Sequence, residues 1–116
     1  MKRLRNYLVG VDQGSSVLFS DFENDGKMWA GDGPRTRRRK VKFSETFRSP
    51  PSVQVTMSMF DLDHKTNQRA DITAEKITEA GFDIVFRTWG DSRIARVRAD
   101  WMAIGELKDE DEWDLY

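Results

Sequence analysis

The chain has 116 residues, which suits one domain with a modest hydrophobic core. Hydrophobic residues make up 38% and charged residues 34% of it, a composition typical of globular rather than disordered proteins. The formal net charge of -1 excludes an overall positive field that would attract nucleic acid or an anionic membrane, and the absence of cysteine excludes disulfides and thiol chemistry.

The N-terminal segment is basic, and the apolar run that follows it is interrupted at Asp12. That run is too short for the hydrophobic region of a signal peptide, and no later stretch has the length of a membrane span. We therefore expect a chain that is made in the cytoplasm and does not insert into membranes. Its site of action could still be extracellular or on a particle if another export route serves it.

Alternation of apolar and polar residues is the dominant pattern along the first half of the chain, and it predicts β-strands. An early strand is predicted either through residues 8–11 or through residues 17–19. The next strand contains Val41 and Phe43. After a double proline, a further strand places four apolar side chains on one face: Val53, Val55, Met57 and Met59.

The same alternation continues through the second half of the chain. Ala70, Ile72 and Ala74 share one face of a strand, and Phe82, Ile84 and Phe86 share one face of the next. A last strand carries Ala95, Val97, Ala99, Trp101 and Ala103 on its core side. Turn-forming residues separate these runs, and no sustained helical period is present. About six strands at regular spacing predict an all-β fold, a six-stranded antiparallel β-sandwich.

Two tryptophans differ in the face of the strand that they occupy. Trp101 has the parity of Val97 and Ala99, which predicts a core residue. Trp89 has the parity of Asp83 and Arg87, away from the core side of its strand, and it comes just before a turn. Two interpretations are open for it: it covers a sheet edge or a subunit contact, or it contacts a ligand.

Other candidate sites are weak. The segment 35–40 holds five basic residues, but alternation sends Arg38 and Lys40 to one side and Arg37 and Arg39 to the other, so a nucleic-acid surface is not expected. Asp61, Asp63 and His64 form no spaced ligand set, so neither a metal site nor a cofactor is expected. His64 is the only histidine, and without a cysteine or a triad no catalytic function is expected.

The C-terminal segment 106–116 is acidic, yet it contains Trp113, Leu115 and Tyr116. Bulky side chains in an otherwise solvated tail indicate docking, either on the domain's own surface, on a neighbouring protomer or on another partner.

From Arg38 onward the chain resembles the H-type lectins, the family of the snail agglutinin and of the C-terminal domain of discoidins. The matching stretches, in order, are "VKFSETFRSPPSVQV", "FDLD", "NQRADI", "AGFDIVFRTWGDSRI" and "ADWMAIG". They cover roughly two-thirds of the chain. The resemblance therefore predicts a single H-type lectin-like domain over residues 1–116, with the clearest match over residues 38–105.

The resemblance implies a trimeric sandwich, or a hexamer of two stacked trimers, that binds galactose or N-acetylgalactosamine in clefts between protomers. The family aspartate is similar to Asp32, the family arginine to Arg69 and the family tryptophan to Trp89. An aspartate accepts hydrogen bonds from sugar hydroxyls, an arginine donates to vicinal hydroxyls, and a tryptophan supplies a flat apolar wall.

Two positions depart from the family pattern. An aromatic residue or histidine that contacts the acetamide group corresponds here to Gly90, and a tyrosine further on corresponds to Ala95. These replacements are expected to open the cleft and to remove contacts to an N-acetyl group. Asp91 or Arg93 would take their place, which favours a differently decorated and charged sugar.

Two functions follow from these observations. One is a multivalent carbohydrate-binding protein without catalytic activity, supported by Asp32, Arg69 and Trp89 together. The alternative is a trimeric structural or interaction module of a fibre or particle that keeps the sandwich and has lost sugar binding.

Overall fold

A computed structural model describes residues 1–109 of the chain. It contains six strands and one short helix: β1 Val9–Ser20, α1 Lys27–Ala30, β2 Arg35–Lys42, β3 Ser52–Leu62, β4 Asp71–Glu75, β5 Gly81–Thr88 and β6 Ile94–Glu106. Trp113, Leu115 and Tyr116, for which docking is predicted, lie outside the described residues.

The strands form two three-stranded antiparallel sheets, in the order β1-β6-β3 and β2-β5-β4. The prediction of a six-stranded antiparallel sandwich is confirmed. The two alternatives for the first strand are both parts of β1, because that strand runs without a break past Asp12. The carboxylate of Asp12 accepts hydrogen bonds from the backbone N–H of Ser44 at 2.7 Å and from its hydroxyl at 3.0 Å.

The core lies between the two sheets and follows the predicted parity. Phe82, Ile84 and Phe86 of β5 are buried, as are Val97 and Ala99 of β6. Trp101 is half-buried, and its ring centroid lies 5.9 Å from that of Phe43 and 5.4 Å from that of Phe82. The pairing of β3 with β6 is irregular between Met57 and Met59, yet the alternation of burial continues, so that Met59 is half-buried and Phe60 is 57% exposed.

The outer face of the β2-β5-β4 sheet carries a network of ion pairs. Arg38 contacts Asp83 at 3.0 Å and Glu75 at 3.6 Å, and Arg87 contacts Glu75 at 2.7 Å. Val85 shares this face and is nevertheless fully buried, although its parity predicts an exposed side chain. Its cross-strand neighbours are Arg38 and Thr73, so we infer that the long paired side chains cover it.

The connections β1–β2, β3–β4 and β5–β6 meet at one end of the sandwich. The start of β6 pairs with the ends of β1 and β3, and the end of β5 pairs with the starts of β2 and β4. Each of Asp32, Arg69 and Trp89 belongs to one of these connections. None of the helices among residues 1–109 has the length and apolar character that a membrane crossing requires.

Candidate functional site

Strand pairing brings the loop of Asp32 beside the loop of Trp89. The first residue of β2, Arg35, pairs with the last residue of β5, Thr88. The contact continues beyond the strands, because the backbone N–H of Gly33 donates to the carbonyl of Gly90 at 2.9 Å. Asp32 is exposed on this junction, so its carboxylate is accessible to a ligand.

Arg69 is held by its backbone and by its side chain. Its backbone N–H donates to the hydroxyl of Ser92 at 2.8 Å, and its carbonyl accepts a hydrogen bond from the hydroxyl of Thr88. The guanidinium Nη1 donates to Oδ1 of Asp91 at 2.9 Å. Both the backbone and the side chain of Arg69 are therefore fixed to the β5–β6 turn, and the side chain is still 39% exposed.

The Arg69–Asp91 contact is an ion pair at neutral pH. The hydrogen bond from Arg69, followed by one from the backbone N–H of Asn67, lowers the pKa of Asp91 below its ordinary value. A lowered pKa keeps the carboxylate charged as the pH falls. The Arg69–Asp91 ion pair is therefore present above the ordinary pKa of the aspartate. It is lost only when the pH falls through the lowered pKa.

The backbone conformation at position 90 and the side chain beside it both require a glycine there. Its φ of +69° lies in the left-handed region that favours glycine. A Cβ at this position would lie 2.9 Å from Nη1 of Arg69. That Gly90 opens the cleft stays a prediction, and the guanidinium of Arg69 takes the space directly beside this glycine.

Trp89 lies on the surface, as its parity predicts, with 44% of it exposed. Its carbonyl accepts a hydrogen bond from Ser92 at 2.9 Å, which anchors its backbone to the residue that also holds Arg69. Within residues 1–109 its ring has no aromatic partner. The side chain is an exposed apolar wall on a fixed backbone.

Ala95 does not face this site. It lies in β6 with 6% of its surface exposed, and its carbonyl accepts from the backbone N–H of Asp21. That a small residue here widens the cleft stays a prediction. Arg93, two residues earlier in the chain, places its guanidinium carbon 4.5 Å from the ring centroid of Trp29.

Arg35 is a residue of the site that the sequence pattern did not reveal. It is 6% exposed, and it donates to the carbonyls of Gly33 at 2.9 Å, Lys27 at 3.1 Å, Met28 at 3.1 Å and Gly90 at 3.2 Å. One guanidinium thus joins α1, the loop of Asp32 and the turn after Trp89. Its five fixed donors suit this role, and only its place at the start of a strand in an arginine-rich segment hints at it.

Replacement of Arg35 by methionine is expected to lower the free energy of unfolding by about 1–3 kcal/mol, because buried carbonyls lose a charged donor. It should also loosen the loop of Asp32 against the turn of Gly90. Chemical denaturation measures the first effect. Arg39→Met is the matched control, since Arg39 is an exposed arginine of the same strand and should change stability by less than about 0.5 kcal/mol. Equal losses in the two variants would contradict the role of Arg35.

The other candidates from the sequence do not belong to the junction of these loops. Arg37 pairs with Asp21 and Arg38 with Asp83 on opposite faces of β2, so the basic segment is split as predicted. His64 has an 85% exposed side chain and lies 4.0 Å from Asp63. Among residues 1–109 no group of three acidic, histidine or cysteine side chains is arranged to hold a metal ion.

A comparison with protein-family models matches residues 38–104 to the H-type lectin domain. The matched segment is more than half of the chain. This chain belongs to the H-type lectin family.

Two relatives and one solved structure place the lectin among known proteins. It is 60% identical over 107 residues to a Fuscovulum blasticum protein described as ATP synthase subunits region ORF 7, covering 92% of this chain and 93% of that one. It is 35% identical over 81 residues to discoidin-2 of Dictyostelium discoideum, covering 69% of this chain and 32% of that protein.

The structure of recombinant discoidin II from Dictyostelium discoideum has the same fold, with a TM-score of 0.69 and 28% identity. The alignment covers 90% of this chain and 39% of the discoidin chain. The lectin thus spans less than half of the discoidins. A lectin domain binds carbohydrate without converting it, so carbohydrate binding without catalysis is the general activity of the family.

Proposed function

We propose that this lectin is a multivalent protein that binds galactose, N-acetylgalactosamine or related sugars through Asp32, Arg69, Trp89, Gly90 and Asp91, in clefts between the protomers of a trimer. The observation that carries the proposal is the junction of three loops. It places an accessible carboxylate, a fixed guanidinium and an exposed indole at one end of the sandwich.

The three side chains supply complementary chemistry. The carboxylate of Asp32 accepts hydrogen bonds from two hydroxyls, and the guanidinium of Arg69 keeps N–H donors beyond the one used by Asp91. Charge-assisted hydrogen bonds of this kind are stronger than neutral ones. Trp89 offers its face to the C–H side of a pyranose ring with little side-chain entropy to lose. Gly90 lets Arg69 approach the turn, and Asp91 orients it.

The outer face of the β1-β6-β3 sheet supports assembly. Four apolar side chains on it are between 43% and 61% exposed: Val9, Val11, Val17 and Met102. A groove with a volume of about 570 Å³ crosses the same face, and its lining includes Gln13, Thr56 and Asp100. The opposite sheet covers its own apolar residue with ion pairs. Exposed apolar side chains grouped on one sheet face are typical of a contact between protomers.

We expect a homotrimer, or a hexamer of two trimers, in solution. Light scattering should return at least three times the monomer mass of 13.5 kDa. Met102→Glu, which places a charge in the uncovered face, should shift the mass toward that of the monomer because a buried unpaired charge is costly. The control is Thr36→Glu, which places a charge at an exposed residue of the other sheet. A wild type that stays monomeric across micromolar concentrations would exclude the assembly.

A glycan array probed with the labelled wild type tests the function. Binding to galactose-type or related glycans is expected. An array without any bound glycan would overturn the proposal and favour the structural or interaction module of a fibre or particle.

A further inference from the structure

A fixed cationic group lies next to the proposed sugar site. Arg93 follows Ser92, whose hydroxyl contacts both the backbone N–H of Arg69 and the carbonyl of Trp89. The backbone N–H of Arg93 donates to Oε1 of Gln68 at 3.1 Å, and its carbonyl accepts from the backbone N–H of Asp63 at 3.0 Å. Its backbone is therefore tied to the same loops that carry Arg69 and Trp89.

The side chain of Arg93 is also held in place, by aromatic residues. Its Nε donates to the carbonyl of Trp29 at 3.1 Å, and its guanidinium lies over the Trp29 ring. Phe22, itself 56% exposed, packs edge-on against Trp29 with ring centroids 5.0 Å apart. Stacking on an indole is a favourable geometry for a guanidinium. The aromatic pair thus supports an arginine that remains on the surface.

The guanidinium of Arg93 has no acidic partner among residues 1–109. The arginine is exposed, makes no ion pair there, and uses none of its terminal Nη nitrogens in a hydrogen bond within that part of the chain. Arg37, Arg38, Arg69, Arg87 and Arg96, by contrast, each contact a carboxylate. A guanidinium whose terminal N–H donors are already ordered and unused matches the oxygens of a planar carboxylate or a tetrahedral sulfate.

The surrounding charges allow an anion to approach. Asp91 is offset by Arg69, and the buried guanidinium of Arg35 lies beneath the Gly90 turn, where it donates to backbone carbonyls. Asp32 is the remaining acidic side chain that we assign to the site. Among the charged side chains that we assign to the site, the three arginines (Arg35, Arg69 and Arg93) outnumber the two carboxylates.

We propose that Arg93, supported by Trp29 and Phe22, is an acid-binding subsite, and that the sugar recognised by this lectin carries a carboxylate or sulfate group. The inference rests on the proposed function, because the subsite serves a sugar bound at Asp32, Arg69 and Trp89. An arginine that is ordered before binding loses little freedom when the anion arrives, which favours affinity.

Titration of the wild type with matched sugars tests the subsite. The probes are methyl galactoside, methyl galactosiduronate and galactose sulfated at the 3- or the 6-position. At least one acidic sugar should bind about tenfold or more tightly than the neutral one, as expected for a charge-assisted contact. The two chemical classes separate the sources of the anion, since a carboxylate and a sulfate are compared directly.

Arg93→Gln should remove this preference and leave the affinity for methyl galactoside unchanged. Arg39→Gln, which deletes an exposed arginine in the middle of β2, should keep it. Equal binding of neutral and acidic sugars by the wild type would overturn the subsite while the lectin function stands. A preference that survives in Arg93→Gln would likewise place the anion elsewhere. A failure of all these sugars to bind would contradict both proposals.

Discussion

Replacement of Arg69 by alanine is expected to abolish binding of the lectin to a glycan-coated surface. Monovalent sugar binding is worth roughly 4–6 kcal/mol, about millimolar to tens of micromolar in affinity. A hydrogen bond from a charged donor contributes about 1.5–3 kcal/mol of that, so the loss for a free monosaccharide should be about ten- to a hundredfold. Asp32→Ala should have a similar effect. Surface binding should fall more steeply, because linked sites amplify each loss through effective concentration.

Arg87→Ala is the matched control for Arg69→Ala. Both side chains are 39% exposed and both pair with a carboxylate, but Arg87 belongs to β5 and its shortest ion pair is with Glu75 at the end of β4, whereas Arg69 belongs to the β3–β4 loop and pairs with Asp91. Exposed ion pairs contribute little to stability, so both variants should keep the assembly and the melting temperature of the wild type. If Arg69→Ala bound glycan as well as Arg87→Ala did, the carbohydrate site would lie elsewhere.

Trp101→Ala is expected to lower the free energy of unfolding by about 3 kcal/mol or more, a large part of the roughly 5–15 kcal/mol that stabilises a domain. The indole packs against Phe43 and Phe82, and it covers Gly14, where a Cβ would come within 2.7 Å of Nε1. Truncation would leave a cavity bounded by two sheets. A calorimetric melt should show a fall of about 10 °C or more.

Trp89→Ala is the variant to compare with Trp101→Ala, in the same unfolding measurements. Its indole is 44% exposed, so its removal should change the free energy of unfolding by less than about 0.5 kcal/mol while weakening glycan binding. Equal destabilisation by the two substitutions would show that Trp89 belongs to the core and would remove the argument for its role as a wall.

The strands could be predicted from the sequence because each buries one face, and burial of one face imposes a period of two. The exceptions have physical causes that lie far away in the chain. Asp12 interrupts an apolar run yet belongs to β1, since Ser44 satisfies its carboxylate. Val85 is buried on the outer face, where its cross-strand neighbours are Arg38 of β2 and Thr73 of β4.

The candidate site was predictable to the extent that it resembles a family pattern. That pattern indicated Asp32, Arg69 and Trp89, and pairing of β2 with β5 explains how Asp32 comes next to the turn of Trp89. The role of Arg35 could not be predicted, because its partners are carbonyls of three separate segments. The contact of Arg69 with Gly90 could not be predicted either, because only the fold brings these two residues together.

Mapping the bound sugar by NMR tests the central claim most directly. A titration of the 15N-labelled protein with galactose, N-acetylgalactosamine or an acidic galactoside should shift the indole N–H of Trp89, the amide of Gly90 and the side-chain N–H of Arg69. The amides of the outer face of the β1-β6-β3 sheet should stay unchanged. Shifts confined to that face, or a spectrum that no sugar alters, would contradict a carbohydrate site at the junction of the three loops.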